Sequence, residues 1–296
     1  MRSAIIVSMV PVLSLILGVN AAAEPSGEAR LKVLTWNVQL LPEAFDTFSS
    51  SLRKMQSARV PWIVEYLNAQ DYDVVCLQEV IDPLITEALM EALKPVYPHQ
   101  VAPQTQTGER LLSSGVLFVS RVPIKLVAFS AYEHSAGIDA ITSKGATLVE
   151  GEKDGVRFQA GGTHMQAGHQ DMKDRQYVEA VEKVLKPHRR EGVPQFFMGD
   201  FNTDKGTEKY DILLKTLDMR DYPMDDPVPL SVDGENSWNS PNHRGGLIDH
   251  IFLWTGGTGS GIVKQWIQRA RREHEGRVID LADHYGVVAE AVISNK

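Results

Sequence analysis

Five apolar stretches of the sequence lie next to polar side chains that can bind a cation or a phosphate. The stretches LTWNVQ, VVCLQEV, FQAGGTHMQ, FFMGDFN and LADHYGVV carry Asn37, Gln78, Glu79, His164, Gln166, Asp200, Asn202, Asp283 and His284. Oxygen ligands without cysteine suit a hard cation such as Mg²⁺, Mn²⁺ or Ca²⁺ rather than a structural zinc. Because Mg²⁺ binds few carboxylates and keeps water, with phosphate completing its shell, the pattern indicates metal-assisted phosphate chemistry.

Each of these residues also has a simpler explanation when it is considered alone. Glu79 can be a solvated strand end, and His164 can be a histidine that only forms structural hydrogen bonds. The Asp200–Asn202 pair can close its strand as an Asx-turn, and Asp283 can cap a helix. Their joint occurrence, in order, at the ends of apolar strands favours the functional interpretation.

Strand and helix patterns alternate along the chain, without repeats or low-complexity tracts. We predict one α helix starting near Pro61, a second capped by Asp82, and a third over residues 171–188. Lys153, Asp154 and Gly155 are expected to form the turn of a β hairpin. The segments SGVLFVSR and PIKLVAFS are predicted to be neighbouring strands. Residues 220–246 are the longest stretch without regular structure, and a loop of this length is usually functional or disordered.

The composition of the 296 residues is that of an ordinary globular protein, and we see no linker, so a single domain of α and β elements is expected. The formal net charge of −8 does not favour a general attraction to nucleic acid or anionic lipid, although it is compatible with a local basic patch. The only cysteine, Cys76, lies in an apolar segment and is interpreted as an inert core residue.

The N-terminus has the pattern of a secretory signal peptide. Arg2 precedes a short apolar region interrupted by Pro11, and small residues precede a predicted cleavage site after Ala23. The apolar run is shorter than the roughly 20 residues of a spanning helix, although a retained anchor is the alternative. We therefore predict a signal peptide over residues 1–23, one domain over residues 24–296, and a secreted or periplasmic protein.

The ordered motifs WN, LQEV, SGVLFVSR, GTHMQ, GDFN, IDHIFL and ADHYGVV resemble the endonuclease/exonuclease/phosphatase superfamily over residues 31–292. The resemblance implies an α+β fold, a four-layered sandwich of the DNase I type. In that fold two packed, mostly antiparallel sheets lie between outer helices. It also implies metal-dependent cleavage of phosphate esters by a catalytic domain over residues 24–296.

The resemblance also implies roles for individual residues. The residues that match metal-binding positions are Asn37, Glu79, Asp200, Asn202, Asp283 and His284. His284 is expected to be the general base, Asp249 its orienting carboxylate, and His164 a phosphate ligand or general acid. Asp200 and Asn202 are expected to position the phosphate and the nucleophilic water. A neutral histidine can accept a proton from water near pH 7, and a carboxylate on its other nitrogen fixes the tautomer.

Within the superfamily, the chain resembles the secreted bacterial neutral sphingomyelinases. The segments GIDAITSKGATLVE, THMQAG and KDRQYVEAV carry this resemblance, although Lys173 stands where arginine is expected. It implies hydrolysis of sphingomyelin to ceramide and phosphocholine, with Lys144 and Gln166 contacting the substrate. Mg²⁺ is the expected cofactor, with Mn²⁺, Co²⁺ or Ca²⁺ as alternatives. The expected protein is a monomer that contacts phospholipid and membrane surfaces transiently and does not bind nucleic acid.

Two features of the sequence depart from the sphingomyelinase pattern. Only NSPNHRGGL separates Trp238 from Ile248, so the family's long aromatic hairpin is predicted to be missing there, and His250 replaces a tyrosine. Without that hairpin, the apolar residues available for an interface are Leu40, Leu41, Phe45, Phe48, Tyr222, Met224 and Trp238.

Three other functions remain open at this point. A secreted DNase-like nuclease is the first, and the basic segment RARREHEGR at 269–277 would support it unless that segment is a solvated hairpin tip. A phosphatase of soluble phosphoinositides or sugar phosphates is the second. A binding module without catalysis is the third, and the intact set of polar residues argues against it.

Overall fold

A computed structural model describes residues 27–42, 55–106 and 110–296, so the predicted signal peptide and the loop residues Phe45 and Phe48 lie outside the described residues. One sheet has six strands in the order β10-β13-β1-β2-β4-β3. Its strands are β1 (Glu28–Leu40), β2 (Val74–Val80), β3 (His99–Val101), β4 (Leu117–Ser120), β10 (Gly261–Gln268) and β13 (Gly286–Ser294). Strands β1 and β2 are parallel, and the other neighbours are antiparallel.

The second sheet has five strands in the order β5-β6-β7-β8-β9. Its strands are β5 (Ile124–Ala131), β6 (Gly145–Lys153), β7 (Val156–His164), β8 (Gln195–Asp200) and β9 (Asp249–Trp254). Only β7 and β8 pair in parallel. Strands β11 (Arg271–His274) and β12 (Arg277–Asp280) form a separate hairpin.

The two sheets pack face to face because alternate residues of their strands are apolar on the facing sides. Cys76 and Phe118 of the first sheet share a core with Phe158, Phe196 and Met198 of the second. Gly162 allows a close approach of the sheets, since a Cβ atom at this position would lie 2.6 Å from Cys76 Sγ.

Helices cover the outer face of each sheet. Helices α1 (Gln56–Asn68) and α2 (Pro83–Leu93) cover the six-stranded sheet through residues such as Leu67 and Leu93. Helix α3 (Gln170–Glu179) and helix α4 (Glu208–Leu217) cover the five-stranded sheet. The layers are therefore helix, sheet, sheet and helix, which confirms the predicted α+β sandwich. Among the described residues, no helix has the length and apolar character that crossing a membrane requires.

Some local predictions are confirmed by the structure. Asp82 caps α2, because its Oδ1 accepts hydrogen bonds from the backbone N–H groups of Leu84 and Ile85, both at 3.0 Å. Strands β6 and β7 form the predicted hairpin around Asp154 and Gly155, which both have positive φ angles.

One predicted strand pairing is wrong, and two predicted helices are present but differ in their start or helix type. Strand β4 pairs with β2 and β3, whereas β5 pairs with β6 in the other sheet, so the two predicted neighbours are separated. Helix α1 starts at Gln56 and includes Pro61, because buried Arg59 upstream of the proline holds the first turn by tertiary hydrogen bonds. The predicted helix at 171–188 is α only to Glu179, and continues as a π turn over Ala180–Leu185 and a 3₁₀ turn over Lys186–His188.

Candidate active site

The polar residues identified in the sequence converge at one edge of the sandwich, where the central strands of both sheets end. Glu79 lies near the end of β2, and His164 and Asp200 end the parallel strands β7 and β8. Asp249 begins β9, which is antiparallel to β8 and therefore starts at the same edge, opposite Asp200. His284 precedes β13, which is antiparallel to β1. The sheet topology thus places residues that are far apart in sequence around one cleft.

Asn37 connects the two sheets at this edge. Its side-chain amide donates to Glu79 Oε1 and to Asp200 Oδ2, both at 3.1 Å. The backbone N–H of Gln39 in turn donates to Asn37 Oδ1 at 3.1 Å, which fixes the orientation of the amide. Asn37 and Asp200 are buried. A carboxylate from each sheet is therefore held by one amide.

His284 and Asp249 form the pair that was expected for a general base. His284 Nδ1 lies 2.9 Å from Asp249 Oδ2, which leaves Nε2 on the side of Asp200, 4.0 Å from its Oδ2. Burial lowers the pKa of His284, but the charges of Asp249, Asp200 and Asp283 outweigh burial and raise the pKa well above its usual value. The carboxylates therefore favour the protonated imidazole.

His164 lies in the opposite electrostatic environment. Its Nε2 is 3.1 Å from Lys144 Nζ and 3.5 Å from Asp200 Oδ2, and Lys144 forms an ion pair of 2.9 Å with Asp139. Burial and the charge of Lys144 lower the pKa of His164 well below its usual value. His164 is therefore neutral near pH 7, which disfavours it as a proton donor.

The end of β8 forms a tight turn that presents Asp200 to the cleft. The backbone N–H of Asn202 donates to Asp200 Oδ1 at 2.8 Å, so the Asx-turn considered from the sequence is present. Asn202 has a φ of 49°, and its amide donates to the Met165 carbonyl at 3.1 Å. Gly199 has a φ of 150°, and a Cβ atom there would lie 2.0 Å from the carbonyl oxygen of Thr163. Only glycine therefore lets β8 approach β7 this closely before Asp200.

The two predicted substrate-binding residues are buried and have protein partners. Lys144 Nζ contacts Asp139, His164 and the Met165 carbonyl. Gln166 Oε1 accepts from the Ala136 N–H, and its Nε2 donates to the carbonyls of Ala136 and Ala167. These contacts support positioning of His164 by Lys144 and of the neighbouring loop by Gln166.

The carboxylates of the site have the unpaired oxygens and the negative charge that a divalent cation would need. Buried oxygens without a hydrogen-bond partner include Glu79 Oε2, Asp249 Oδ1 and Asp283 Oδ1. Burial, followed by the charge of Asp283, raises the pKa of Glu79 to about 7. Unpaired buried oxygens and accumulated negative charge are what a hard cation would compensate.

A second group of candidate ligand atoms lies where β8 and β9 meet the segment before β13. One atom each of Asp200, Asp249 and His284 lie within 4.8 Å of one another. Glu79 and Asp200 are the better ligand candidates, because Asn37 holds these two carboxylates together, one from each sheet. Asp249 also has an unpaired oxygen, Oδ1, but its Oδ2 is engaged with His284.

Two residues that support the site, Gln39 and Arg59, were not among the predicted site residues. Gln39 Nε2 donates to Asp283 Oδ2 at 2.7 Å. Buried Arg59 donates to the carbonyls of Val38, Gln39 and Leu281. Arg59 had a recognisable signal, since it shares one helical face with Ile63 and Leu67, which are both fully buried. A charged residue on an apolar helical face needs a partner, which here is the backbone beside the site.

Most of the basic segment 269–277 lies in the β11–β12 hairpin. Three of its four arginines have acidic partners within the protein, and Arg277 is exposed in the hairpin. Arg269 pairs with Asp233 and Glu235, Arg271 with Asp280, and Arg272 with Glu65. These contacts support the interpretation of the segment as a surface hairpin.

Known proteins with similar sequences also indicate a phosphodiester hydrolase. A phospholipase C from Staphylococcus aureus is 27% identical over 271 residues, which cover 81% of this chain and 80% of that protein. A sphingomyelinase C from Listeria ivanovii is 26% identical over 278 residues, which cover 79% of each. These relatives confirm the resemblance to bacterial sphingomyelinases and support a phosphodiester hydrolase.

Solved structures confirm the fold. A beta toxin from Staphylococcus aureus superposes with a TM-score of 0.76 and 24% identity, covering 88% of this chain and 99% of that chain. Another beta toxin structure, with bound magnesium ions, has a TM-score of 0.75 and 22% identity over the same shares.

The sequence matches the Endonuclease/Exonuclease/phosphatase family over residues 34–284, an interval that contains every residue of the cleft described above. The chain belongs to the Endonuclease/Exonuclease/phosphatase family.

Proposed function

We propose that this protein is a Mg²⁺-dependent phosphodiesterase that hydrolyses sphingomyelin to ceramide and phosphocholine. The observation that carries the proposal is the His284–Asp249 pair at 2.9 Å, which lies beside the Glu79–Asn37–Asp200 group, with His284 Nε2 4.0 Å from Asp200 Oδ2. The relatives named sphingomyelinase C or phospholipase C support the lipid substrate.

The cation would be held by Glu79 and Asp200, with Asn37, Asn202 and Asp283 as the further predicted ligands. His284 was also a predicted ligand, but its Nδ1 is engaged with Asp249 and its Nε2 is needed as the base, so it is left out of the proposed ligand set. When bound, it would neutralise charge on the phosphate and stabilise the leaving oxygen. Mg²⁺ is favoured because the site offers few carboxylates, and Mn²⁺, Co²⁺ and Ca²⁺ are the alternatives.

His284 would accept a proton from the attacking water at Nε2, since its Nδ1–H is held by Asp249. The water oxygen forms a bond to phosphorus, the bond between phosphorus and the ceramide oxygen breaks, and the ceramide oxygen takes a proton from solvent water. A base must be neutral before it accepts this proton. Because the carboxylates that raise the pKa of His284 include proposed cation ligands, offsetting their charge would lower that pKa again.

His164 would contact the phosphate rather than protonate the leaving group, because its low pKa keeps the imidazole neutral. Lys144, held by Asp139 at 2.9 Å, would orient His164 and add positive charge beside the phosphate. Asp200 and Asn202 would position the phosphate and water from the turn after β8.

Contact with a lipid surface would differ from that made through an aromatic hairpin. Between Trp238 and Ile248 the described chain has turns and no hairpin, and the β11–β12 hairpin has a charged turn at His274–Arg277. Tyr222 and Met224, which were candidates for insertion, pack partly buried against the core. We therefore propose only transient membrane contact by a monomer, and better activity on loosely packed lipid.

A substrate panel tests the proposed function. The purified protein would be incubated with sphingomyelin, phosphatidylcholine, plasmid DNA and inositol phosphates, each with Mg²⁺ and with chelator. Sphingomyelin would be supplied both as detergent micelles and as packed vesicles. We expect phosphocholine release from sphingomyelin, faster from micelles, and none with chelator. Preferred cleavage of plasmid DNA would instead identify a nuclease, and preferred cleavage of inositol phosphates a phosphatase.

A further inference from the structure

Five consecutive backbone carbonyls, from Asp280 to His284, each accept a hydrogen bond from a side chain. This run contains Asp283 and His284 and begins where β12 ends. The donors, in order, are Trp238 Nε1 at 2.7 Å, Arg59 Nη1 at 2.7 Å, Asn236 Nδ2 at 2.9 Å, Asn239 Nδ2 at 3.0 Å and Trp36 Nε1 at 3.0 Å. Residues 281–284 have no helix or strand of their own, so these side chains replace the ladder that would otherwise fix the backbone.

Three of the five donors come from one short stretch of the long loop, residues Ser231–Asn239, which we call the 231–239 segment. This segment also holds the backbone of Asp249, because Ser231 Oγ accepts from the N–H groups of Ile248 at 3.0 Å and Asp249 at 3.2 Å. The Ser231 carbonyl accepts from the Tyr285 N–H at 2.7 Å, directly after His284. One segment therefore contacts the backbone on both sides of the His284–Asp249 hydrogen bond.

The 231–239 segment is itself fixed by a buried carboxylate. Asp233 Oδ1 accepts from the N–H groups of Glu235 and Asn236 and from the Tyr285 hydroxyl, at 3.0, 3.1 and 2.8 Å. Its Oδ2 pairs with Arg269 at 2.9 Å. Asn236 Oδ1 accepts from the Trp238 N–H at 3.1 Å, so the same side chain shapes the segment and reaches the Ala282 carbonyl.

We infer that the 231–239 segment is a positioning element for the catalytic pair, and that Asn236 and Asn239 are positioning residues. They act through the carbonyls of Ala282 and Asp283 and contact neither the reacting atoms nor the cation ligand atoms. The long loop is thereby assigned a function that its composition alone does not reveal. The inference rests on the proposed role of His284 as general base.

Asn236→Asp provides the most direct test. The aspartate retains the oxygen that accepts from the Trp238 N–H, but it replaces the donor to the Ala282 carbonyl by a second oxygen. Gln195→Glu is the matched control, because Gln195 is also a buried amide whose Nε2 donates to a carbonyl, that of Leu185, at 3.1 Å. Gln195 begins β8, at the end of the strand away from Asp200.

Two quantities would be measured for each variant: its turnover of the soluble diester bis(p-nitrophenyl) phosphate, and its Tm. We expect Asn236→Asp to lower kcat by about tenfold or more with KM within about twofold, since small misplacement of a catalytic group has effects of this order. Gln195→Glu should lower the Tm and keep kcat. Equal kcat losses in the two variants, or an unchanged kcat in Asn236→Asp, would overturn the inference.

Asn239→Ala is a milder variant, because Asn239 is only half-buried. It replaces Asn236→Asp in the test if that variant fails to fold, and it should also lower kcat while leaving KM nearly unchanged. The downfield NMR signal of the His284 Nδ1 proton, assigned by its loss in His284→Gln, gives a readout that needs no turnover. This signal should shift in Asn236→Asp and Asn239→Ala and stay unchanged in Gln195→Glu. A shift only in Gln195→Glu would refute the inference. A wild-type protein that cleaves neither this diester nor sphingomyelin would refute the proposed function instead, while the NMR comparison would still decide the role of the segment.

Discussion

The two histidines of the cleft show how neighbouring residues decide a chemical role. Both were identified from the sequence, yet their environments are opposite: His284 faces carboxylates, whereas His164 faces Lys144 at 3.1 Å. The sequence left His164 as either a phosphate ligand or a general acid. Its lowered pKa favours the first, and this difference depends on a side-chain contact across 20 residues that no local pattern encodes.

Replacing Glu79 by Gln tests the cation site at the residue scale. The change removes a buried charge next to Asp283 while nearly keeping the shape, so in chelator the Tm should rise or stay the same. The increase in Tm that Mg²⁺ gives to the wild-type protein should become much smaller. Activity should fall by a factor on the order of 10² or more, because metal charge stabilisation contributes several kcal/mol. Calorimetric scans with Mg²⁺ and with chelator measure the first two effects.

An unchanged Mg²⁺ shift together with near-wild-type turnover would contradict the assignment of Glu79. Glu152→Gln provides the control, because it removes the same charge at an exposed position of β6. The control should change neither the Mg²⁺ shift nor the turnover.

At the scale of elements, the sequence predicted correctly those features that depend only on residues adjacent in the chain. The Asp82 cap and the turn at Asp154 and Gly155 are fixed by adjacent residues, and both predictions are confirmed. The pairing of β4 and β5 was predicted wrongly because strands that are adjacent in sequence here belong to different sheets. The early start of α1 was also missed, since it depends on hydrogen bonds from Arg59 to carbonyls as distant as Leu281.

Asp82→Ala should destabilise the protein through α2. Asp82 Oδ1 accepts from two N–H groups of the first helical turn at 3.0 Å, and loss of such a cap costs about 1 kcal/mol, within a range of roughly 0.5 to 2. Urea unfolding measures this loss, and Asp82→Ser should recover most of it because serine is also a good cap. Equal stability of the alanine and wild-type proteins would show that the cap contributes nothing.

At the scale of the whole molecule, the family resemblance implied the layers correctly, and the side chains expected to act together lie at one edge of the sandwich. Strand polarity explains the shared edge, since β7 and β8 end where the antiparallel strands β9 and β13 begin. The contacts of the long loop could not be predicted, because Asn236 and Asn239 reach the carbonyls of Ala282 and Asp283, more than 40 residues away in sequence. Loops carry few periodic signals, although their polar side chains bind backbone at a distance.

Export of the whole chain stays a prediction from its N-terminal pattern. Cleavage after Ala23 would leave a protein that begins near Glu24. N-terminal sequencing of material from the periplasm or medium checks this. An intact Met1 in a membrane fraction would show that the apolar stretch is an anchor.

The most direct test of the central claim is the fate of the water oxygen during hydrolysis. Detergent-dispersed sphingomyelin would be cleaved in water enriched in the heavy isotope of oxygen, with Mg²⁺, and the products would be analysed by mass spectrometry. If water activated by His284 attacks phosphorus, one heavy oxygen enters phosphocholine, ceramide stays unlabelled, and chelator abolishes both products. Label in ceramide, or release that is unaffected by chelator, would contradict the account.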